Sequence, residues 1–573
     1  MTSSSESSLQ RWRQGTLAPF RHRVFALFWW AALVSSFGSL IQTVGASWLM
    51  ATIAPSPDMV ALVQTAGTLP FFFLSLVAGA FADTHDRRIV MLASQGLMLV
   101  ASAVLVGIAF AGRVTPELLL LLTFLIGCGA AAFAPAWQAS IGEMVPREQV
   151  PAAIMANAFG FNLARSVGPA IGGVVVAVLG AAAAFLVNAL SYLGMLAVML
   201  WWRPQRAVST LPREPLGSAI AAGVRYAWLS PHLLAILFRC LLFTVPLAAV
   251  PALMPVVARD LLGGGAQTYG LLLGGFGFGA MMGALSSAAL RARFSSDALL
   301  RGLCVVAGLA MTGIAFAPWA PLNLLAHLVA GFVWTLGLAT FNIAVQMSSP
   351  RWVMARMLAL YQTFAFAGMA LGAWGSGLLA ADLGLRSTLG LAGALALATV
   401  PFARWLPVSV ARLGSLDPYD APEVQPPKAE LDESSGPIVV TIEYRVPAHH
   451  AEQFAEVINE LGRIRRRDGA RAWSASQDID DPVLWVERFE SPTWADHLRR
   501  YSRPTLADQA IRERLRQLIE GERGTVRRYV VRPAGRRQAA RIEHQPIEQP
   551  KALLAHAPFH GHRGPEGCEV GHR

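Results

Sequence analysis

A succession of long apolar runs, separated by short loops that carry arginine, constrains this chain more than any other feature. A helix of about 20 apolar residues crosses the ~30 Å hydrocarbon core of a bilayer, and each run reaches that length. A backbone in hydrocarbon must satisfy its own hydrogen bonds, so runs of this kind fold as helices. Composition agrees: 54% of the 573 residues are hydrophobic, only 14% are charged, and the mean hydropathy is +0.46. Soluble domains carry about 25% charged residues.

Twelve spans are read: Val24 to Thr52, Met59 to Ala82, Ile89 to Ala111, Glu117 to Ser140, Ala152 to Leu179, Ala181 to Trp202, Leu233 to Ala258, Tyr269 to Leu290, Ala298 to Ala317, Leu322 to Met347, Met354 to Ala381 and Ser387 to Trp405. The chain divides into an N-terminal segment, 1–23, a six-helix half, 24–202, a linker, 203–232, a second six-helix half, 233–406, a Pro-rich linker, 407–437, a soluble domain, 438–533, and a His-containing tail, 534–573, read as disordered. If spans alternate, Arg21, Arg23, Arg87, Arg88, Arg147, Arg203, Arg291, Arg293, Arg351 and Arg356 fall on one side, against Arg113, Arg259 and Arg386 on the other. The positive-inside rule then makes both termini cytoplasmic, in a multi-pass protein of the plasma (inner) membrane. The first run has no small-residue cleavage site and stays as a span. The net charge of +11 follows from topology and calls for no nucleic acid. Cys128, Cys240 and Cys304 lie inside apolar runs, which excludes a disulfide framework.

The halves repeat. Gly79 and Gly283, Arg87 and Arg291, Gly127 and Gly331, Pro146 and Pro350, Gly168 and Gly372, and Gly173 and Gly377 each lie 204 positions apart. A parallel six-plus-six repeat places the two halves about an axis along the membrane normal. Between them Leu216, Ile220, Val224, Ala227 and Trp228 recur at helical spacing, the pattern of a surface amphipathic helix.

The loop Gly79 to Met91 joins the second and third spans. Its Gly79, Asp83, Arg87 and Arg88 resemble the signature loop of the major facilitator superfamily, with Phe81, Thr84 and Asp86 departing from it. In the fifth span, Gly168, Pro169, Gly172 and Gly173 form a small-residue packing face and resemble the fifth-helix motif of drug and metabolite antiporters in that superfamily. Combined with Phe20 to Trp30, Ser35, Ser36, Gly38, Ser39, Pro135, Arg165 and Phe185 to Tyr192, these features are similar to the enterobactin-exporter group. The resemblance implies export of a small molecule, with siderophores and lipophilic drugs as cargo classes.

Charges within spans are costly and therefore functional candidates. Arg165 and Arg239, with Asn157, Asn162 and Tyr361, are the candidates for a substrate cavity that favours an anionic cargo. Asp58, Asp83, Glu117, Glu143 and Asp260 all sit near span ends, so His327 is the candidate for proton coupling. Asp83 is expected to meet the N-terminus of span eleven, and Arg87 or Arg88 to reach Glu143, forming a latch with Gly79 at the turn. Phosphate-cradling motifs are absent, which disfavours ATP use; no cofactor is expected, and a proton gradient is the expected energy source.

After Pro437 a soluble pattern appears: strands at Ile438 to Val446, Ala470 to Gln477, Val483 to Glu490 and Thr525 to Val531, and helices at His450 to Arg467 and Trp494 to Gly521. The order βαββαβ predicts a ferredoxin-like α+β domain. Arg467 to Trp473, Glu487 to Phe489 and Trp494 to Leu498 resemble the antibiotic-biosynthesis-monooxygenase type of dimeric α/β barrel. That resemblance implies dimerisation, with Trp473, Trp485, His497 and Tyr501 as candidates for aromatic chemistry. No nucleophile, base with an orienting partner or metal set is visible, so a non-catalytic dimerisation or ligand-sensing domain is favoured. His544, His556, His560, His562, Cys568 and His572 fit no closed zinc site, and no metal is expected. The sequence thus predicts an exporter with lipid and small-molecule partners, not an enzyme; the alternative is a membrane-anchored enzyme or sensor whose activity resides in the C-terminal domain.

Overall fold

The computed structural model describes residues 18–532 except 55, 85, 147–148, 203–215, 318, 351, 409–415, 417–426, 428, 502 and 522–523. The first half is α1 (Arg23–Ile53), α2 (Pro57–Thr84), α3 (Arg87–Phe110), α4 (Pro116–Met144), α5 (Val150–Leu179) and α6 (Ala181–Trp201). A linker helix, α7 (Leu216–Trp228), follows. The second half is α8 (Pro231–Leu247), α9 (Ala249–Val256), α10 (Ala266–Arg293), α11 (Ser296–Phe316), α12 (Ala320–Met347), α13 (Met354–Leu383) and α14 (Leu385–Ala398).

Among the described residues, eleven helical stretches are long and apolar enough to cross a membrane. The expected twelve spans differ from this count at one place: Ala152–Trp201 is a single stretch of 50 residues holding both α5 and α6. The break between those helices is Gly180, at φ +82°. A side chain there would be strained, and glycine adopts the angle freely. Gly384, 204 positions later, breaks α13 from α14 at the same φ of +82°. The repeat therefore extends from residue identity to backbone conformation. Helix starts follow local chemistry: Thr115 caps α4 ahead of Pro116, accepting from the Leu118 N–H at 3.3 Å, and Ser295 caps α11 by accepting from Ala298.

Helix α7 lies where the amphipathic pattern predicts, but it buries a different face. Ala222, Gly223, Tyr226 and Ala227 are buried, whereas Val224 and Trp228 are exposed. Ala227 belongs to the expected stripe, and Gly223 lies beside it in the buried face. A Cβ there would stand 3.0 Å from the Arg356 Cβ, so the glycine lets α7 lie against the start of α13. This defines one face of the bundle, carrying α7, Arg87, Arg88, Arg291 and Arg293, as its basic face.

The C-terminal module comprises β1 (Ile438–Arg445), α15 (Ala451–Arg467), β2 (Arg471–Gln477), β3 (Leu484–Ser491), α16 (Trp494–Tyr501), α17 (Leu506–Arg516) and β4 (Thr525–Val530). Its sheet is antiparallel in the order β2-β3-β1-β4. Alternation sends Ile438, Val440, Ile442 and Tyr444 inward, where Phe454, Val457, Ile458 and Leu461 of α15 cover them. The module touches the basic face through stacked cations and rings. Arg467 lies 5.1 Å over Tyr226 of α7 and Arg503 lies 4.4 Å over Trp352, just before α13. Tyr226 and Trp352 meet edge to face at 5.4 Å.

Candidate functional site

The site is the seam between the two halves. On the side away from the basic face, α5 meets α10 backbone to backbone. A Cβ on Gly173 would lie 2.5 Å from the Gly270 Cα, which no side chain tolerates. The equivalent contact, 204 positions on, is α13 against α2, where a Cβ on Gly377 would lie 2.9 Å from the Asp58 Cα. The remaining packing positions face α1: Gly168 sits against Leu40 and Gly172 against Ile41 and Val44, with Pro169 accommodated inside an unbroken helix. The small-residue motif thus makes close helix approach possible within one half and across the seam. Nearby, Trp48 stacks on Tyr269 at 6.2 Å, the Arg259 guanidinium donates to the Ala51 carbonyl, and Thr65 donates to the Ala370 carbonyl at 3.4 Å. Toward mid-depth Phe71 stacks on Phe366 at 4.6 Å. All these inter-half contacts lie between that side and mid-depth, so the bundle is closed there.

Arg165 stands near the middle of α5, half-buried. Among the described residues no hydrogen bond or ion pair engages it, and Tyr361 of α13 lies within its electrostatic reach. Tyr361 is buried and donates to the Leu338 carbonyl at 2.8 Å. The structure therefore brings a cation of one half to a phenol of the other.

Other candidates resolve differently. Arg239 is not left facing a cavity: it is buried in an ion pair with Asp297, backed by the Leu406 carbonyl at 3.3 Å. Asp297 also accepts from the Val408 N–H at 3.4 Å and pairs with Arg301 at 3.2 Å. The pair ties α8, α11 and the segment leaving the last span together. Nothing in the sequence marks the pair, because Asp297 lies just before the apolar run Ala298 to Ala317, far along the chain from Arg239. Asn157 accepts from the Trp137 indole at 3.2 Å and so braces α4 against α5. His327 is fully buried, with Nδ1 at 2.8 Å from the Asn323 carbonyl and Nε2 without a partner among the described residues. The side chain of Asn162 lies outside the described residues.

On the basic face Arg87 pairs with Glu143 at 2.7 Å. Arg88 does not reach Glu143; it donates to the Met199 and Leu200 carbonyls at 2.9 and 2.7 Å, capping α6. The side chain of Asp83 and the surroundings of Gly79 lie outside the described residues. In the second half Arg291 bonds Ser287, the residue at the position equivalent to Asp83.

In the module, Trp473 and Trp485 pack on the core beneath the sheet, whereas His497 and Tyr501 of α16 meet each other at 5.1 Å. Sequence reading missed the hub, Glu487, because nothing in an alternating strand marks an inward carboxylate as paired. Glu487 is buried, taking Arg465 at 3.1 Å, the Trp473 indole at 2.9 Å and the Tyr444 hydroxyl at 2.9 Å. Burial would raise its pKa, but Arg465 and these donors outweigh it and hold the carboxyl below its ordinary range.

Two helical halves related by one offset, closed against each other on one side and holding a cation at the centre, define a secondary transporter of the major facilitator type. The transmembrane secretion effector family (MFS_3) matches residues 14–538, and the chain belongs to it. The chain is similar to the multidrug efflux pump Tap of Mycolicibacterium fortuitum, 30% identical over 378 residues that cover 63% of this chain and 90% of that protein. It is similar also to the staphyloferrin A transporter of Staphylococcus aureus, 26% identical over 188 residues, 33% of this chain and 47% of that one. A bacterial homologue of the human lysosomal transporter Spinster, solved in an inward-facing, unoccupied conformation, matches its fold with a TM-score of 0.54 at 16% identity, covering 68% of this chain and 95% of that one. Family and relatives are transporters, so the protein is a transporter rather than an enzyme.

Proposed function

We propose that the protein is a secondary active exporter that expels a small amphipathic anion by alternating access, driven by a proton gradient. The observation that carries this reading is Arg165, held near mid-depth with no ion-pair partner among the described residues and within electrostatic reach of Tyr361 across the seam. A cation in hydrocarbon surroundings is expensive unless something anionic compensates it, and cargo is the natural counter-charge. The relatives named for multidrug efflux and for staphyloferrin A support the cargo classes. The basic face is cytoplasmic in this reading, the bundle has twelve spans, and the closed glycine seam makes this conformation the one that loads from the cytoplasm. Asp83, meeting the N-terminus of α13, would lock the basic face shut in the alternate state, with the Arg87–Glu143 pair beside it. The group is that of enterobactin exporters, and the C-terminal domain is a ferredoxin-like accessory module.

The test is efflux from cells of two probes that share one apolar body, one anionic and one neutral. Arg165→Gln should slow the anionic probe about tenfold, the effect of losing roughly 1.4 kcal/mol of differential interaction, and leave the neutral probe unchanged. Unaltered export of the anion by a well-inserted variant would overturn the reading.

A further inference from the structure

The C-terminal module holds a second buried cation with no direct ion pair among the described residues. Phe489 of β3 has two guanidiniums over its ring, Arg465 at 4.8 Å and Arg500 at 4.0 Å. Arg465 is neutralised by Glu487, whose oxygens are also taken by Trp473 and Tyr444. Arg500 has no such partner. It is 6% exposed, and its Nη1 is buried with no hydrogen bond among the described residues.

One turn earlier on α16, His497 is fully buried with both ring nitrogens unpartnered among the described residues. It stacks on Trp494 at 5.2 Å and meets Tyr501 at 5.1 Å. Burial first, and then the charges of Arg500, Arg528 and Arg465, push its pKa down to about 3, so it is neutral and can donate one N–H. Burial and the Arg465 cation likewise push Arg500 down to about 9, against the weaker opposing pull of Tyr501, Glu487 and Asp468. Ser491 adds a buried hydroxyl at the end of β3, without a partner among the described residues. Buried polar atoms are normally satisfied, and a buried charge without a counter-charge costs several kcal/mol. Several donors beside one unmatched guanidinium form an oxyanion site, and Phe489, Trp494 and Tyr501 supply an aromatic frame around it.

We propose that the module binds a small aromatic carboxylate between α16 and the sheet, with Arg500 taking the carboxylate and His497 donating to it. Arg500 lies three residues before Arg503, which stacks on Trp352 ahead of α13. The site is therefore joined to the contact that seats the module on the bundle.

The test is calorimetric titration of the purified full-length protein in detergent with sodium benzoate. Native protein should bind it saturably. Arg500→Met should weaken binding at least tenfold, and Arg500→Lys, which keeps the charge but not the planar fork, should weaken it severalfold. Arg165→Gln should leave it unchanged, which separates this site from the transport cavity. Without benzoate, Arg500→Met should melt no lower than native, because it removes a buried charge with no direct ion pair. Absence of saturable binding, undiminished binding by Arg500→Met, or loss of binding in Arg165→Gln would each overturn the proposal. A lowered melting temperature in Arg500→Met would do the same, since it would make the cation a structural partner of Phe489.

Discussion

The two halves of the bundle share their glycines and differ in their polar residues. Gly173 and Gly377 each press a helix of one half against a helix of the other, and Gly180 and Gly384 each break a helix at φ +82°. The polar residues follow no such rule. In the first half Gln42 accepts from Ser102 at 2.9 Å and from Asn188, which also donates to Tyr192 at 3.0 Å, all of them buried. The residues 204 positions later are Pro246, Val306 and Ala392, none with a side-chain hydrogen bond to offer. Conversely, the second half buries Arg239 against Asp297, where the first half has Ser35 and Ala93. Backbone geometry common to both halves demands the same residue twice, whereas a polar contact can be built or dispensed with locally.

Valine at the seam should break this comparison most severely. Overpacking costs about 1–3 kcal/mol, and 1.4 kcal/mol is already a tenfold change in an equilibrium. Gly173→Val and Gly377→Val should each cut transport at least tenfold. Each should also raise labelling of a cysteine at Ala61 by an impermeant maleimide, because the closed side is wedged open. Gly96→Val, at a position with nothing within 4 Å, serves as the neutral control. If only one of the seam variants is impaired, the two contacts are not equivalent.

Next in size is the buried ion pair of the second half. Arg239→Met should lower stability in detergent by about 2 kcal/mol, less than the loss of a fully buried pair, because Asp297 is partly exposed and keeps Arg301 as a partner. Arg239→Met with Asp297→Asn should recover most of that loss in the same melting measurement. No recovery would mean that Arg239 acts through something other than the pair.

The polar network of the first half should respond on a similar scale. Asn188→Ala, which copies the residue of the second half, leaves Gln42 short of a donor and should cost about 1–3 kcal/mol. Adding Gln42→Leu should return stability toward native. Smallest of all is the Arg87–Glu143 pair, whose side chains are 31% and 35% exposed. Glu143→Gln should move melting by the equivalent of no more than about 1 kcal/mol, and less at high salt. A large loss of transport in that variant, with stability intact, would mark the pair as part of the gate.

Much of the fold was legible because its signals are local. Apolar runs marked the spans, the constant offset marked the repeat, and alternation after Pro437 placed all four strands within about two residues of their observed ends. The site was legible in part. Gly173 was recognisable as a packing residue, but its partner Gly270 carries no motif. Arg165 and Arg239 looked alike in sequence, each a lone arginine in an apolar run. The structure separates them, since Arg239 finds Asp297 and Arg165 finds no acid among the described residues.

What the sequence determined by itself is the run of long apolar helices, the internal repeat and the order of strands and helices after Pro437. Each of these depends on residues near one another in the chain and on the energetics of placing them in lipid. What only the tertiary structure decided is which face of α7 is buried, which charges are matched, and where the halves touch. Those outcomes depend on pairs far apart in sequence, such as Gly173 with Gly270, Arg239 with Asp297 and Arg503 with Trp352. A residue's type restricts what it can bond, but its partner is chosen by the packing of helices whose relative positions no local pattern encodes.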